Sequence, residues 1–151
     1  MSDKILIVDD EKDIAEVLKE ICEMDGYTTD YARTGEEGLS KLEKDQDIKV
    51  VLLDKNLPGI SGLEFIKRAK NHLKHYAQII LITGYPSAEA FRDAIKSGAY
   101  TCLTKPFNVD EVLRIIKDAL KHYEKSKQLR QAVVRDEEKA LKESLDRLKK
   151  I

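Results

Sequence analysis

The chain has 151 residues, 42% hydrophobic and 36% charged, with a formal net charge of −1. That is the make-up of one soluble globular domain, and near-neutrality gives no electrostatic case for nucleic acid as a partner. No apolar run approaches the ~20 residues of a membrane span, and no signal-peptide pattern opens the chain, so a cytoplasmic protein without membrane contact is expected. Charge is unevenly placed: residues 121–151 hold ten Lys/Arg against six Asp/Glu, and the first 120 hold seventeen against twenty-two, an acidic body of net −5 with a mildly basic tail. Cys22 and Cys102 lie inside apolar patterns with no C-x-x-C pairing, which suits reduced thiols.

Short apolar runs alternate with longer amphipathic segments, the signature of repeated βα units around a parallel sheet. Lys4–Asp9 reads as the first strand, its Ile5–Val8 run continuous as in a strand covered on both faces. Ile14, Val17, Leu18 and Ile21 fall at helical spacing and Gly26 closes that helix. Thr28–Ala32 is a weak, polar strand that suits a sheet edge. Thr34 with Glu37 forms a capping box for a second helix ending near Lys44. Val50–Asp54 is strand three. Pro58, Gly59 and Gly62 mark a loop, and Ser61 with Glu64 caps helix three. Gln78–Thr83 is strand four, Pro86-Ser87 leads into a helix ending at Gly98, Tyr100–Thr104 is strand five, and Asn108 with Glu111 opens helix five. No proline follows Pro106 and no glycine follows Gly98, so that helix can run to the C-terminus, roughly 60 Å at ~1.5 Å per residue.

Five βα units predict an α/β, doubly wound five-stranded parallel sheet with helices on both faces. Four of its strands end in polar groups: Asp9-Asp10-Glu11, Asp54, Thr83-Gly84 and Lys105-Pro106. Ligands of such sheets bind outside the carboxyl ends of the strands, so these groups are expected to converge. Alone, Asp9 and Asp10 suit a helix start just as well, because the macrodipole favours acids there. Asp54 tips the balance by repeating the arrangement on another strand. Three gathered carboxylates need a cation, and Mg²⁺ fits as a hard ion that takes oxygen ligands and is held by few protein groups. A backbone carbonyl near Asn56 can add one more oxygen. Lys105 can neutralise the cluster and hold a phosphoryl oxygen as a point charge, and Thr83 can donate one hydroxyl hydrogen bond to it.

The motifs ILIVDDE at 5–11, LLDKNLPGISG at 52–62, ITGYPS at 82–87, GAY at 98–100 and LTKPF at 103–107 together resemble the receiver domain of two-component response regulators over residues 1–122. Residues 123–151 would form a helical extension or linker. The resemblance implies a flavodoxin-like strand order 2-1-3-4-5. It implies that Asp54 accepts a phosphoryl group from a sensor histidine kinase or phosphotransfer protein. Asp10, Asp54 and the Asn56 backbone carbonyl would bind Mg²⁺ directly, with Asp9 acting largely through water. Metal and Lys105 would offset charge on the phosphoryl oxygens, and Thr83 would swing toward the phosphate, switching the face made by helix four, strand five and helix five. Such a chain catalyses only its own phosphorylation and dephosphorylation. The resemblance also suggests a cis Lys105–Pro106 bond.

Two positions depart from the family's pattern. Cys102 stands where an aromatic switch residue is usual; Tyr100 would share its strand face by period two, and the switch could move to Tyr85. Thr101 stands where receivers that dimerise through helix four, strand five and helix five often carry Asp. His72, His75 and His122 sit on polar stretches and are expected to face solvent. In the tail, Val134, Leu141 and Leu148 recur every seven residues with Leu145 between, while Gln131 and Glu138 interrupt the seam. A single free or folded-back helix and a dimeric linker are both compatible with this pattern. Charge in the tail is too mixed for a nucleic-acid arm. A flavin-binding reading fails on Asp9-Asp10-Glu11, which would repel a phosphate, and an aspartyl phosphatase would need an acid where Asn56 stands. The module could equally be the front domain of a longer output or hybrid-kinase protein.

Overall fold

A computed structural model describes residues 2–150. Five strands, β1 (Lys4–Val8), β2 (Thr28–Ala32), β3 (Ile48–Asp54), β4 (Gln78–Thr83) and β5 (Thr101–Thr104), form one parallel sheet in the order β2-β1-β3-β4-β5. The helices are α1 (Lys12–Met24), α2 (Gly35–Lys44), α3 (Gly62–Lys67), α4 (Ala88–Ser97) and α5 (Val109–Lys149), with a π-helical turn at Arg68–His72 prolonging α3. This is the doubly wound fold that the alternation of runs predicts, in the flavodoxin-like strand order that the resemblance implies.

The continuous apolar runs are read by the two faces of the sheet in turn, because side chains alternate along a strand. Leu6, Val8, Val51, Leu53, Ile79 and Leu81 meet Phe65 and Ile66 of α3 and Ala94 of α4. Ile5, Ile7, Val50, Leu52, Ile80 and Ile82 meet Leu18 and Ile21 of α1 and Val112 and Ile116 of α5. The central strands are therefore apolar through their middles, with polar residues only towards their ends, whereas edge strand β2 stays partly exposed. Each predicted cap forms: Thr34, Ser61 and Asn108 accept from the backbone N–H of Glu37, Glu64 and Glu111 at 3.1, 3.2 and 2.8 Å. Ser87 does the same for Ala90 at 3.0 Å. Gly98 closes α4 at φ 115°, a left-handed conformation that a side chain resists.

Two expectations need correction, and one of the alternatives left for the tail is not adopted. His75 does not face solvent; it is 2% exposed, with Nε2 2.9 Å from the Asp45 carbonyl oxygen and Nδ1 accepting from the Ala77 N–H at 3.0 Å. The backbone turns out of helix before it, and the ring fills the loop by satisfying two main-chain groups. Tyr100 does not share a face with Cys102. It lies before β5 begins, where strand alternation does not yet hold, and packs on the α1/α5 side beside His122, whereas Cys102 packs on the α3/α4 side. The tail does not fold back. α5 is one 41-residue helix whose last buried side chain is Tyr123 and whose Leu129, Val134, Leu141, Leu145 and Leu148 are exposed.

Candidate functional site

Main-chain hydrogen bonds carry the sheet one residue past its strands and so fix the site. Asp9 N–H donates to Ala32 O at 3.1 Å, Lys55 N–H to Ile82 O at 2.9 Å and Lys105 N–H to Thr83 O at 2.8 Å. Sequence reasoning missed Tyr31, whose hydroxyl donates to Asp9 O at 2.8 Å; its place one residue before the end of β2, level with Ile7, was the available signal. Gly62 is the other hidden requirement. A Cβ there would lie 3.0 Å from Lys55 Cα and 3.1 Å from Asp54 O, so only glycine lets α3 start against the turn that follows Asp54. The Lys105–Pro106 peptide is cis.

These constraints bring Asp9, Asp10 and Asp54 together, with one carboxylate oxygen from each within 4.8 Å of the others. Asp9 is 1% exposed and Asp54 5%. Asp9 Oδ1 accepts from Glu11 N–H at 2.9 Å, while Oδ2 is buried without a hydrogen-bond partner among the described residues. Asp54 Oδ1 accepts a long 3.5 Å bond from Asn56 N–H and lies 3.6 Å from Lys105 Nζ. Burial pushes the Asp9 carboxyl up to about 6, with the Glu11 N–H opposing and the charge of Asp54 adding to the rise. Burial also raises Asp54, against the pull of Lys105. Ionising this cluster is therefore costly, and one lysine does not offset three acids. A buried oxygen without a donor, beside two further carboxylates, is a donor set that fits a small divalent cation.

Thr83, 4% exposed, lies at the end of β4 opposite Thr104, and its Oγ1 accepts from Tyr85 N–H at 3.2 Å. Tyr85 itself points away from the core, 81% exposed. Cys102 is half-buried and shares a small cleft of about 100 Å³ with Thr83, Lys55 and Phe91. Burial raises its thiol pKa. Asn56 is exposed beside Asp54.

The family model for the response regulator receiver domain matches residues 5–117. The chain is 37% identical over 123 residues to the sporulation initiation phosphotransferase F of Bacillus subtilis, covering 82% of this chain and 94% of that protein. It is 36% identical over 125 residues to the regulatory protein VanR of Enterococcus faecium, covering 83% of this chain but 53% of VanR. Among solved structures, a CheY-like receiver domain protein from Methanospirillum hungatei JF-1 superposes with a TM-score of 0.78 at 35% identity, over 83% of this chain and 99% of that one. The beryllofluoride-activated NtrC4 receiver domain dimer superposes at 0.74 and 37%, over 80% and 98%. With sheet order, strand-end chemistry and all three comparisons in agreement, the chain belongs to the receiver domains of two-component response regulators.

Proposed function

We propose that Asp54 is the phosphoacceptor and that Asp9, Asp10 and the Asn56 carbonyl complete, with it, a Mg²⁺ site. The observation that carries this reading is the clustering of three carboxylates around a buried, partnerless Asp9 Oδ2, with Lys105 Nζ 3.6 Å from Asp54. An Asp54 oxygen attacks the phosphorus of a phosphohistidine or acyl phosphate, the bond to the leaving group breaks, and an aspartyl phosphate forms. Bound Mg²⁺ supplies positive charge to the phosphoryl oxygens. Lys105, 3.6 Å from Asp54, adds a second positive charge, and Thr83, by giving up its bond to the Tyr85 N–H, turns its hydroxyl toward the new phosphate. That movement alters the face built from α4, β5 and α5. Cys102, being small, leaves the cleft beside Thr83 open in both states, which limits the change or passes it to Tyr85.

Residues 1–122 act as the receiver, and 123–151 as a linker through which two copies can pair; the NtrC4 receiver dimer lends support to pairing. The partner is a sensor histidine kinase or phosphotransfer protein, in keeping with the similarity to a sporulation phosphotransferase. Catalysis is confined to the chain's own phosphorylation and dephosphorylation. No described helix is long and apolar enough to cross a membrane, which agrees with a cytoplasmic setting. A second reading, the front module of a longer protein, is favoured by VanR and by the Escherichia coli regulatory protein AtoC, of which the chain spans only 53% and 27%.

Incubation with acetyl phosphate and Mg²⁺, followed by mass spectrometry of the intact chain, tests the reading. The wild type should gain one phosphoryl group and Asp54→Asn none. Full labelling of the variant would place the acceptor elsewhere.

A further inference from the structure

The amino-terminal end of the sheet carries a feature that phosphorylation at Asp54 does not use. Tyr76 stands in the loop between the π-helical turn and β4, and the Arg130 guanidinium, from the part of α5 beyond Tyr123, lies 3.6 Å from its ring centroid. Two clefts, of about 520 and 550 Å³, flank this stack. Lys70 and Lys74 line the first, Lys127 and Arg135 the second, and Tyr76 and Arg130 line both. No aspartate or glutamate among the described residues lines either cleft. Among the described residues, none of these five cations forms an ion pair, although the first 120 residues are acidic overall.

The lining is rich in donors and poor in acceptors. Lys70 Nζ donates to the His75 carbonyl at 3.2 Å and to that of Ala77, which leaves its third proton free. Burial, reinforced by the charge of Arg130, holds Lys70 down at about 8, so an anion beside it would relieve both costs. His75 is no cation here, because its ring is committed to the Asp45 carbonyl and the Ala77 N–H. The side chains of Asn71, Gln78 and Ser126 add neutral donors to the first cleft.

We propose that these clefts bind the polyphosphate group of a small molecule, seated between Lys70, Lys74 and Arg130. Lysine and arginine hold phosphate oxygens through charge-assisted hydrogen bonds, and the half-exposed Tyr76 ring offers a flat surface for a base. Because Arg130 belongs to the extension and Lys70 and Lys74 to the body, such a ligand would also tie the root of the extension to the receiver.

The test is an NMR titration of the full ¹⁵N-labelled chain, without Mg²⁺ and at fixed ionic strength, with pyrophosphate in one arm and ATP in the other. Saturable shifts should centre on Lys70, Tyr76, Ser126 and Arg130 and spare Lys105. Tighter binding of ATP identifies a nucleotide as the source, and equal binding a free polyphosphate. Arg130→Glu, Arg130→Gln and Lys74→Glu should each weaken binding, the charge reversals at least about tenfold, as loss of a charged hydrogen bond predicts; Lys139→Glu, elsewhere on α5, should not. All three positions lie outside the buried core, so unchanged melting would separate lost binding from lost folding. The proposal is overturned if neither probe gives saturable shifts or if Arg130→Glu binds like the wild type. It is also overturned if a single-stranded oligonucleotide occupies the same residues far more tightly, which would make this a nucleic-acid surface.

Discussion

The two ends of the same strands treat charge in opposite ways. At the amino-terminal end, the strand lysines are matched. Lys4 pairs with Asp45, and Lys49 reaches Asp3 and Glu124 at 2.8 Å each, with its ammonium 5.5 Å from the Tyr123 ring centroid. These partners hold the Lys4 and Lys49 ammonium groups above the ordinary lysine range, through hydrogen bonds to Asp45 and to Asp3 and Glu124 respectively. At the carboxyl end, three acids face one lysine, and a buried oxygen has no partner. Folding stability alone would select the first arrangement and remove the second. Keeping an unmatched cluster where the strands end is the mark of a site built for charges that arrive later. The basic clefts around Tyr76 break the rule at the opposite end in the opposite sign, and by the same logic are read as a site for an anion.

Breaking the carboxyl end should therefore cost function, and breaking the matched ion pairs of the amino end only stability. The largest effect is expected for Lys105→Ala, which removes the cation 3.6 Å from Asp54 Oδ1. Labelling by acetyl phosphate should slow about 100-fold, the scale seen when a preorganised donor to a developing charge is lost. A rate within twofold of wild type would mean that Lys105 is a bystander. Next, Asp10→Ala should weaken Mg²⁺ binding at least about tenfold by calorimetry, since even outer partners of a metal are worth that much. Glu11→Ala, one residue outside the cluster, should change little, and equal effects would move the metal away. The smallest effect belongs to the matched end. Lys49→Met, breaking two part-exposed pairs, should cost about 1 kcal/mol, a fall of about 2–4 °C in Tm, with labelling unchanged.

Much of this contrast was legible from the sequence, for a local reason. Parallel strands covered on both faces are uniformly apolar, so Asp54, Thr83 and Lys105 announce themselves as the first polar residues after such runs. The N-caps at Thr34, Ser61 and Asn108 are equally local, and each accepts the bond from the backbone N–H three residues on. What escaped depends on contacts distant in sequence. Lys49 looks like any lysine at the start of a strand until α5 brings Glu124 to it, 75 positions away. His75 sits between two exposed residues, and its burial is decided by the Asp45 carbonyl, 30 positions away. Tyr100 misled because period two was extended one residue beyond a strand that begins at Thr101. Arg130 over Tyr76 was invisible for the same reason as Lys49: only the course of α5 past the loop creates it.

Asp9 offers the most direct test of the idea that the carboxyl end stores unmatched charge for a metal. Its folded pKa of about 6 stands above the ordinary 3.8, so the group favours the fold when protonated. That contribution is fully present below about 3.8 and is lost as pH rises through about 6. Above that pH the ionised carboxylate costs on the order of 3 kcal/mol, at 1.36 kcal/mol per pKa unit. Asp9→Asn keeps the acceptor for Glu11 N–H and removes the charge. With chelator at pH 8, the variant should be more stable than the wild type by about 2–3 kcal/mol in urea unfolding, a gap that shrinks below pH 6. Adding Mg²⁺ should then stabilise the wild type and leave the variant nearly unchanged. A variant that is less stable without metal at pH 8, or that gains as much from Mg²⁺ as the wild type does, would contradict the account.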